Sequence, residues 1–501
     1  MAFIVVTTVF VAFISYLIYL LNQRRLFFKI RDEMGIGGPS PHFLIGNLKQ
    51  IIERKKQIGY DDSYQFMAGL HEIYGKYVGI YLGRHLNIHV TDEDDIKEIY
   101  IKNFSNFSDR VVPPIFEQSK LISSLLQASY ADGWKRIRSA IAPTFSTGKM
   151  RAMHHAVESK IDTFLKLIEE KVDSGEKFDI YDDYQALTLD VIGKCAFAIE
   201  SNSLNNREEV FYVQARKFIL HTDIRHSVLI TSSFVFPEFT SIWKMFYRFS
   251  QLALSQAPLV GGLENVYERR KNGEGRGCVD LLELLIEREN SVKDAMSKEE
   301  VIQNCFAFLL AGYETTSTAL AFCTYLLAEH QQVQQKLYDE IQEVKAEQGF
   351  DYDSIHGMKY LDAVFKESLR VYPPVIHFIT RVCLNDITIN GQFFPKGTNV
   401  SVLPYNVHMN EKNWENAKKF IPERFLDWND KGSLKWIPFG VGPRYCVGMR
   451  FAEMEFKTAI VRLLDRFKLE LYPDEPKLVP ACNGVIMRPK DPVRLRLTKR
   501  V

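Results

Sequence analysis

Residues 439–448 read Phe-Gly-Val-Gly-Pro-Arg-Tyr-Cys-Val-Gly, and this stretch governs the interpretation of the whole chain. Its three glycines let the backbone turn tightly around one sulfur, that of Cys446, and aim N–H groups at it. A helix is predicted over 447–467, so Cys446 lies at the positive end of a helix dipole, which favours a thiolate over a thiol. The stretch therefore predicts a loop built around one ionised sulfur.

Composition restricts the class of protein around this loop. The 501 residues are 46% hydrophobic and 25% charged, as in a folded globular protein rather than a disordered one. Lys plus Arg (63) nearly cancels Asp plus Glu (62), so the net charge of +1 gives no reason to expect nucleic acid as a partner. The 7 cysteines are odd in number and lack a Cys-x-x-Cys spacing, which argues against a disulfide scaffold and a tetrathiolate zinc site.

Hydrophobic periodicity predicts a mainly α fold with a small β region, and no internal repeat or long polar linker divides it. Helices are predicted over 132–141, 152–172, 208–220, 251–270, 297–348, 358–371 and 447–467. Strands are predicted over 77–82, 86–90, 386–389, 398–402 and 493–497. Residues 271–277, Lys-Asn-Gly-Glu-Gly-Arg-Gly, are predicted to form an exposed loop.

The amino terminus has the pattern of a membrane anchor. Residues 2–21 are apolar and uncharged, which is the length a helix needs to cross a bilayer. Basic residues begin at Arg24 and none precedes the apolar run, so the positive-inside rule places the following chain in the cytosol. A cleaved signal peptide is the alternative, but its basic start and cleavage site are not visible. We therefore expect an anchor over 1–23, a basic and Gly/Pro-rich hinge over 24–47, and one domain over 48–501.

Five residues of the cysteine stretch resemble the haem-binding signature of the cytochrome P-450 family, namely Phe439, Gly442, Arg444, Cys446 and Gly448. The resemblance implies the single P-450 fold, with haem b bound through the Cys446 thiolate as axial ligand. It implies that Phe439, Gly442 and Gly448 form the cofactor-binding loop and that Arg444 holds a haem propionate. A cysteine loop with a purely structural role is the alternative, and it predicts a protein without haem.

Residues 311–316, Ala-Gly-Tyr-Glu-Thr-Thr, resemble the oxygen-binding motif of the same family. The resemblance implies that Gly312 admits dioxygen and that Glu314 and Thr315 relay protons to it. Without the surrounding motif, the Thr315 hydroxyl is interpreted equally well as one that donates to a carbonyl of the preceding helical turn. The surrounding run, 305–328, is apolar enough to imitate a second membrane helix, but a carboxylate at its centre makes a core helix the better interpretation.

Three more residues match family positions that hold the haem propionates: Trp134, Arg138 and Arg381. Trp134 and Arg138 lie one helical turn apart, so their side chains share a face. Taken alone, either arginine is more often a surface cation.

A further match concerns stability. Glu367 and Arg370 lie three residues apart on one helix face, and Arg424 follows in Pro422-Glu-Arg-Phe425. The resemblance implies that the three side chains form a buried network that braces the cysteine loop. Ala417 departs from the family pattern, where a proline is common, so the conformation of the local turn is not predicted.

Taken together, the resemblance implies a membrane-anchored haem-thiolate monooxygenase of the endoplasmic reticulum, most similar to the third P-450 family of animals and its invertebrate relatives. Its substrate is expected to be lipophilic, such as a xenobiotic, steroid or fatty acid. The chain has no dinucleotide-binding fingerprint, so electrons are expected from NADPH–cytochrome P-450 reductase, with cytochrome b5 as a further partner. A basic surface at Lys135, Arg136 and Arg450 is the expected docking site.

Two alternatives keep the haem but change the function: an isomerase of lipid peroxides that needs no reductase, and a non-catalytic haem carrier or sensor. One apolar segment, residues 234–246, is also open to more than one interpretation. It is expected to dip into the bilayer or to roof the substrate cavity, and the alternative is an ordinary part of the core.

Overall fold

The computed structural model describes residues 1–223, 227–274, 280–289, 295–428 and 432–500. Over these residues the helices are α1 (Ala2–Phe27), α2 (Ile30–Glu33), α3 (Leu48–Ile58), α4 (Ser63–Tyr74), α5 (Glu93–Lys97), α6 (Trp134–Ile141), α7 (Thr147–Ser174), α8 (Ile180–Phe197), α9 (Val210–His221), α10 (Val228–Val235), α11 (Thr240–Tyr247), α12 (Gln251–Lys271), α13 (Leu281–Glu289), α14 (Lys298–Glu329), α15 (Gln331–Glu347), α16 (Tyr352–Gly357), α17 (Lys359–Val371), α18 (Pro404–His408) and α19 (Met449–Arg466). The strands are β1 (Tyr77–Leu82), β2 (His85–Val90), β3 (Ile379–Val382), β4 (Ile387–Ile389), β5 (Gln392–Phe394), β6 (Asn399–Val402), β7 (Phe467–Leu471), β8 (Pro480–Asn483), β9 (Ile486–Pro489) and β10 (Leu495–Lys499). The prediction of a mainly α fold with a small β region is confirmed.

The strands form small sheets at the edge of the helical body. One four-stranded sheet has the order β1-β2-β6-β3, in which β2 and β6 are parallel and the other neighbours are antiparallel. Three antiparallel pairs complete the described β structure: β7 with β10, β4 with β5, and β8 with β9. Because β3 lies in the larger sheet, that sheet carries Arg381 toward the cysteine loop.

The centre of the protein is the contact between α8 and α14. Ser297 begins α14 with a capping box that includes Glu300, as the sequence predicts. A Cβ on Gly312 would lie 3.1 Å from the side chain of Ile192, so the two helices approach closely at this point. Helix α8 is buried on nearly all faces. Since a helix buried all round has no amphipathic pattern, periodicity does not predict α8, and it was missed.

The prediction of one helix over 297–348 is wrong. Helix α14 ends at Glu329, and His330 has φ −113° and ψ 73° before α15 begins. The His330 main-chain N–H and ring both bond to the carbonyl of Leu326, which satisfies the helix end. No proline or glycine marks this break, so the sequence gives no signal for it. The predicted 271–277 loop begins with the last residue of α12 and a turn, and residues 275–277 lie outside the described residues.

The amino-terminal helix is exposed along its apolar length. Residues Phe3–Glu33 form the one segment within the described residues that is long and apolar enough to cross a membrane. The segment after it packs on the body of the protein, because Arg24 and Arg31 are buried and donate to the carbonyls of Leu44 and Pro39. The anchor candidate is therefore joined to the body by fixed contacts.

A buried ionic network supports the cysteine loop. Both carboxylate oxygens of Glu367 accept hydrogen bonds from Arg370, at 2.7 and 2.8 Å, and Arg424 Nε donates to one of them at 3.1 Å. Arg370 also donates to the carbonyl of His408 at 2.9 Å. The His408 ring in turn accepts from the N–H of Ile437, two residues before the cysteine stretch. The network thus links α17 to the start of the loop.

Ala417 takes part in this network through its backbone. Its carbonyl accepts from Arg370 at 2.7 Å, and its N–H lies 3.2 Å from the carboxylate of Glu411. A proline has no N–H and cannot make the second bond. The local departure from the family pattern is therefore associated with an added hydrogen bond, and the network is intact.

We predict that Glu367→Gln destabilises the protein by about 3–5 kcal/mol, because it leaves the buried guanidinium of Arg370 and the partly buried one of Arg424 without their counter-ion. The free energy of unfolding in denaturant measures the effect. Asp474→Asn is the matched control, since it breaks an exposed ion pair with Lys177, and we expect no measurable change. Equal stabilities of the two variants would contradict the assigned role of the network.

Candidate active site

The cysteine loop is held by short backbone bonds. The N–H of Cys446 donates to the carbonyl of Phe439 at 2.8 Å, and that of Tyr445 donates to Gly442 at 2.9 Å. Gly442 has φ +69°, and a Cβ there would lie 2.0 Å from the carbonyl oxygen of Tyr100. Gly448 has an ordinary φ of −87° and room for a Cβ. The backbone therefore requires glycine at 442 but not at 448.

Cys446 retains accessible surface although protein surrounds it on nearly all sides. A side chain that lines an internal cavity has both properties. Burial raises the pKa of its thiol, against the opposing influence of the Gly448 N–H and the guanidinium groups of Arg138 and Arg110. Burial thus opposes the expected preference for a thiolate, which a bound cation would favour.

The other described cysteines are buried and unbridged: Cys195, Cys305, Cys323, Cys383 and Cys482. Cys278 lies outside the described residues. Cys446 is therefore the exposed cysteine among the described residues.

Four guanidinium groups act on this region: Arg110, Arg138, Arg381 and Arg444. The Nε atoms of Arg110, Arg381 and Arg444, with Nη1 of Arg444, are buried without a hydrogen-bond partner. Burial and the like charges of Arg381 and Arg444 lower the pKa of Arg110 well below its usual value. Burial, together with Arg381, lowers that of Arg444 to about 9. The carboxylate of Asp109 lies 3.8 Å from Nη2 of Arg444 and does not bond to these unpartnered N–H groups, so the cluster can accept a bound anion.

The remaining guanidinium atoms fix the cluster in place. Arg444 donates to the carbonyl of Ala128 at 2.7 Å and lies over the ring of Trp134, 4.5 Å from its centre. Arg138 donates to the carbonyl of Tyr445 at 3.0 Å. Arg381 donates to the carbonyl of Thr380 at 2.7 Å. Trp134 and Arg138 on α6 are thus brought to the loop, as their spacing suggests.

One face of α14 is open although the rest of the helix is buried. Phe308, Ala311, Gly312 and Thr315 are half-buried or exposed, and their spacing places them on a single stripe. The Thr315 hydroxyl donates back to the carbonyl of Ala311 at 2.7 Å. The stripe is largely apolar, with one hydroxyl.

Glu314 does not share this stripe. Its carboxylate accepts from the hydroxyl of Tyr181 at 2.8 Å and from the amide of Gln185 at 2.9 Å, both on α8. The structure therefore places Gly312 and Thr315 on the open face and Glu314 on its buried flank.

These residues fit a haem. The two propionates of haem would supply the carboxylates that the buried arginines lack. Cys446 would supply a sulfur ligand, and iron would supply the positive charge that a thiolate needs here. Within the described ranges no group of three or more His, Cys, Asp or Glu side chains could hold a metal ion.

Two residues of this region were missed by sequence reasoning. Arg110 matched no motif, because its place in the cluster depends on the fold of 107–112 against β3. Glu455 on α19 is buried beside the hydroxyl of Thr316, and burial raises the pKa of its carboxyl well above the usual range. Its only sequence signal is a charge on the apolar face of an amphipathic helix.

Comparison with known proteins is consistent with this geometry. A family model described as "Cytochrome P-450" matches residues 36–497. Cytochrome P-450 3A9 of Rattus norvegicus is 33% identical over 485 residues, covering 94% of this chain and 92% of the relative. Cytochrome P-450 3A11 of Mus musculus is 31% identical over 504 residues, covering 99% and 97%. Cytochrome P-450 3A6 of Oryctolagus cuniculus is 33% identical over 483 residues, covering 93% and 92%.

We predict that Gly442→Ala destabilises the loop by at least about 1–2 kcal/mol, the cost of a left-handed backbone alone, with the clash against Tyr100 in addition. Gly448→Ala is the matched control and should fold normally. Thermal unfolding and pigment content measure both variants. A tolerated alanine at 442 would contradict the close approach.

Proposed function

This chain belongs to the cytochrome P-450 family and is a haem-thiolate monooxygenase, and we propose that it oxidises lipophilic organic molecules with electrons from a separate NADPH-dependent reductase. The substrate classes that we propose are xenobiotics, steroids and fatty acids. One observation carries the site assignment: the accessible sulfur of Cys446 lies beside arginines whose buried N–H groups have no partner. An apolar stripe on α14 supports a lipophilic substrate.

We assign the cofactor contacts as follows. When bound, haem supplies the activation of dioxygen, which protein side chains do not provide. Cys446 would hold the haem iron through its sulfur. Arg138, Arg381 and Arg444 would neutralise the propionates, and Arg110 would join them because its buried Nε lacks a partner.

The loop and α14 shape the remaining surroundings. Phe439 packs near Phe365 and Trp436, and with Gly442 and Gly448 it forms the loop side of the site. Trp134 holds Arg444 through its ring face. Gly312 lies on the open stripe of α14, where we assign it to admit a small ligand, and the Thr315 hydroxyl donates a proton. Glu314 is the acid that resupplies it.

The electron donor that we propose is NADPH–cytochrome P-450 reductase, with cytochrome b5 as a second partner. Lys135 and Arg450 are exposed near the cysteine loop and suit an acidic partner. Arg136 is less available to a partner protein than the sequence suggests, because it pairs with Glu300 and donates to the carbonyl of Ala295. We therefore centre the docking surface on Lys135 and Arg450.

We propose the endoplasmic reticulum membrane as the location, with residues 1–23 as a single-pass anchor, 24–47 as the connecting hinge and 48–501 as a cytosolic haem-binding domain. Helix α11 supports a second membrane contact, since Ile242, Met245 and Phe246 are exposed on one face. Those side chains exclude the core interpretation for this part of 234–246.

The end of α1 is tied to the same region. Arg24 donates to the carbonyl of Val235 and lies 3.5 Å from the carboxylate of Glu238, which also pairs with Arg84 at 3.1 Å. These contacts join the end of α1 to the segment that precedes α11. The exposed apolar side chains of both helices therefore suit contact with the same bilayer surface.

The function is tested with full-length protein in vesicles. We expect a red-shifted Soret band in the reduced, carbon-monoxide-treated protein, and its loss in Cys446→Ser. Oxygenated products of a lipophilic library, identified by mass spectrometry, should require both NADPH and reductase. Turnover of a lipid peroxide without reductase would instead favour an isomerase.

The variant Thr315→Ala distinguishes a monooxygenase from a haem carrier or sensor. In a monooxygenase, the yield of oxygenated product per NADPH consumed should fall, because proton delivery is impaired. A sensor should show the same spectrum and no NADPH-dependent product in either form. The second result would contradict the proposed function.

The membrane contact is tested through Trp243 on α11, one of 5 tryptophans in the chain. Brominated lipids quench only tryptophans near the acyl chains, so we expect quenching in the unchanged protein that Trp243→Phe abolishes. Trp428→Phe is the control and should leave the quenching in place. Quenching that is absent from the unchanged protein would exclude the contact.

A further inference from the structure

The hairpin formed by β8 and β9 carries a buried amide that has no partner. Asn483 is the last residue of β8, and 3% of it is exposed. Neither its amide oxygen nor its amide nitrogen has a hydrogen-bond partner among the described residues. A polar group taken out of water costs free energy unless another group bonds to it. A bound molecule that supplies this bond would recover that cost.

The strand pairing shows which face of the hairpin carries the amide. Successive side chains of a strand point to opposite faces of the sheet. Cys482 and its register partner Met487 pack with Tyr64 in one cluster, on the face that α4 covers. Asn483 and its register partner Ile486 therefore lie on the opposite face.

This hairpin borders the open stripe of α14. Phe322 follows Thr315 by two helical turns, so it continues the stripe toward the carboxyl end of the helix. Phe322 is buried in the same cluster as Met487 and Ile376. The Ile376 N–H donates to the carbonyl of Val485 at 3.0 Å, and 37% of Val485, in the turn of the hairpin, is exposed. The hairpin therefore closes one end of the stripe and leaves its turn accessible.

The end of α9 lies against this turn. A Cβ on Gly484 would lie 3.4 Å from the hydroxyl oxygen of Thr222, which directly follows α9. Phe218 of α9 packs edge-on against Phe306 of α14, with ring centres 5.2 Å apart. The Thr222 hydroxyl donates to the carbonyl of Ile219 at 2.7 Å. Its proton is thus already used within α9, and the hairpin amide remains available.

An unpartnered amide alone does not indicate a ligand. Asn406 on α18 is 6% exposed, and both of its amide atoms also lack a partner within the described part of the chain. Helix α18 packs against α4 and α17, whereas Asn483 stands on a hairpin that borders the open stripe. The hydroxyl of that stripe, on Thr315, donates back to Ala311. The place of Asn483 beside an apolar site, together with its free amide, therefore indicates a bound molecule.

We propose that Asn483 is a specificity-determining residue whose amide bonds to one oxygen function, a ketone or a hydroxyl, on an otherwise lipophilic substrate. The amide N–H donates to such an oxygen, and the amide oxygen accepts from a hydroxyl. In an apolar site a single directional bond fixes which part of the substrate lies beside Thr315. This inference rests on the proposed function, because it narrows the lipophilic substrates to those that carry such an oxygen.

The test compares two probes that differ in one group, cyclododecanone and cyclododecane. Full-length haem-loaded protein is used in vesicles of one composition, and the change of the haem absorption band on binding gives each dissociation constant. In Asn483→Leu, which nearly conserves side-chain size, we expect the ratio of the two constants to move against the ketone by about 3- to 10-fold, because one neutral hydrogen bond is lost. Partitioning into lipid is the same in all samples, so the change in the ratio reports the protein.

The positions of oxidation give a second measurement. All ring carbons of cyclododecane are equivalent, whereas those of cyclododecanone differ in their distance from the carbonyl. With NADPH and reductase, the unchanged protein should oxidise a few positions of the ketone, and Asn483→Leu should spread the oxidation over more of them. Mass spectrometry of the separated products measures this distribution.

Asn406→Leu is the matched control, because it removes an unpartnered buried amide elsewhere in the fold, and it should leave the ratio unchanged. Asn483→Ala replaces Asn483→Leu if that variant does not fold. An unchanged ratio in the Asn483 variant would overturn the inference and assign the amide to bound water only. An equal change in Asn406→Leu would overturn it too, and so would a failure of the unchanged protein to bind cyclododecanone.

Failure of this inference is distinguishable from failure of the proposed function, because the dissociation constants need neither NADPH nor reductase. The carbon-monoxide spectrum is recorded on every variant. A changed ratio without any oxygenated product supports the recognition role and contradicts the monooxygenase assignment. Oxygenated product with an unchanged ratio does the reverse.

Discussion

The burial of like charges beside Cys446 is the constraint on which the structure depends. Arg381 lies close enough to Arg110 and Arg444 to lower their affinity for protons, and the Nε atoms of all three have no hydrogen-bond partner. Removing charges from water is costly unless a counter-charge accompanies them. Binding of an anionic group beside these arginines is therefore favourable. Arg110, together with Arg138, also opposes the rise in the Cys446 pKa that burial causes.

The scaffold that keeps these charges in place is assembled from distant parts of the chain. Helix α6 brings Arg138, strand β3 brings Arg381, and the loop itself brings Arg444. The Glu367 network fixes the loop from the other side through His408 and Ile437. Because each contribution comes from a separate element, the site forms only when the packing of the whole domain is complete.

The motifs indicated that Glu367, Arg370 and Arg424 contact one another, as they do in the structure. Most predicted helices and strands lie within a few residues of the observed ones. What could not be predicted depends on tertiary contacts. Helix α8 has no exposed face to give it a period, and the break at His330 has no local signal. The direction of Glu314 likewise follows from donors on α8, about 130 residues away in sequence.

The contact between Asp179 and Val493 bears on how the protein is made. It joins the start of α8 to the last described strand region across 314 residues. A ribosome needs roughly 15–60 s to synthesise that length at about 5–20 residues per second. During this interval α1 has already emerged, while the nascent chain lacks the segment that caps α8. The contact between Asp179 and Val493, and with it the packing at the start of α8, accordingly forms only after synthesis has passed residue 493.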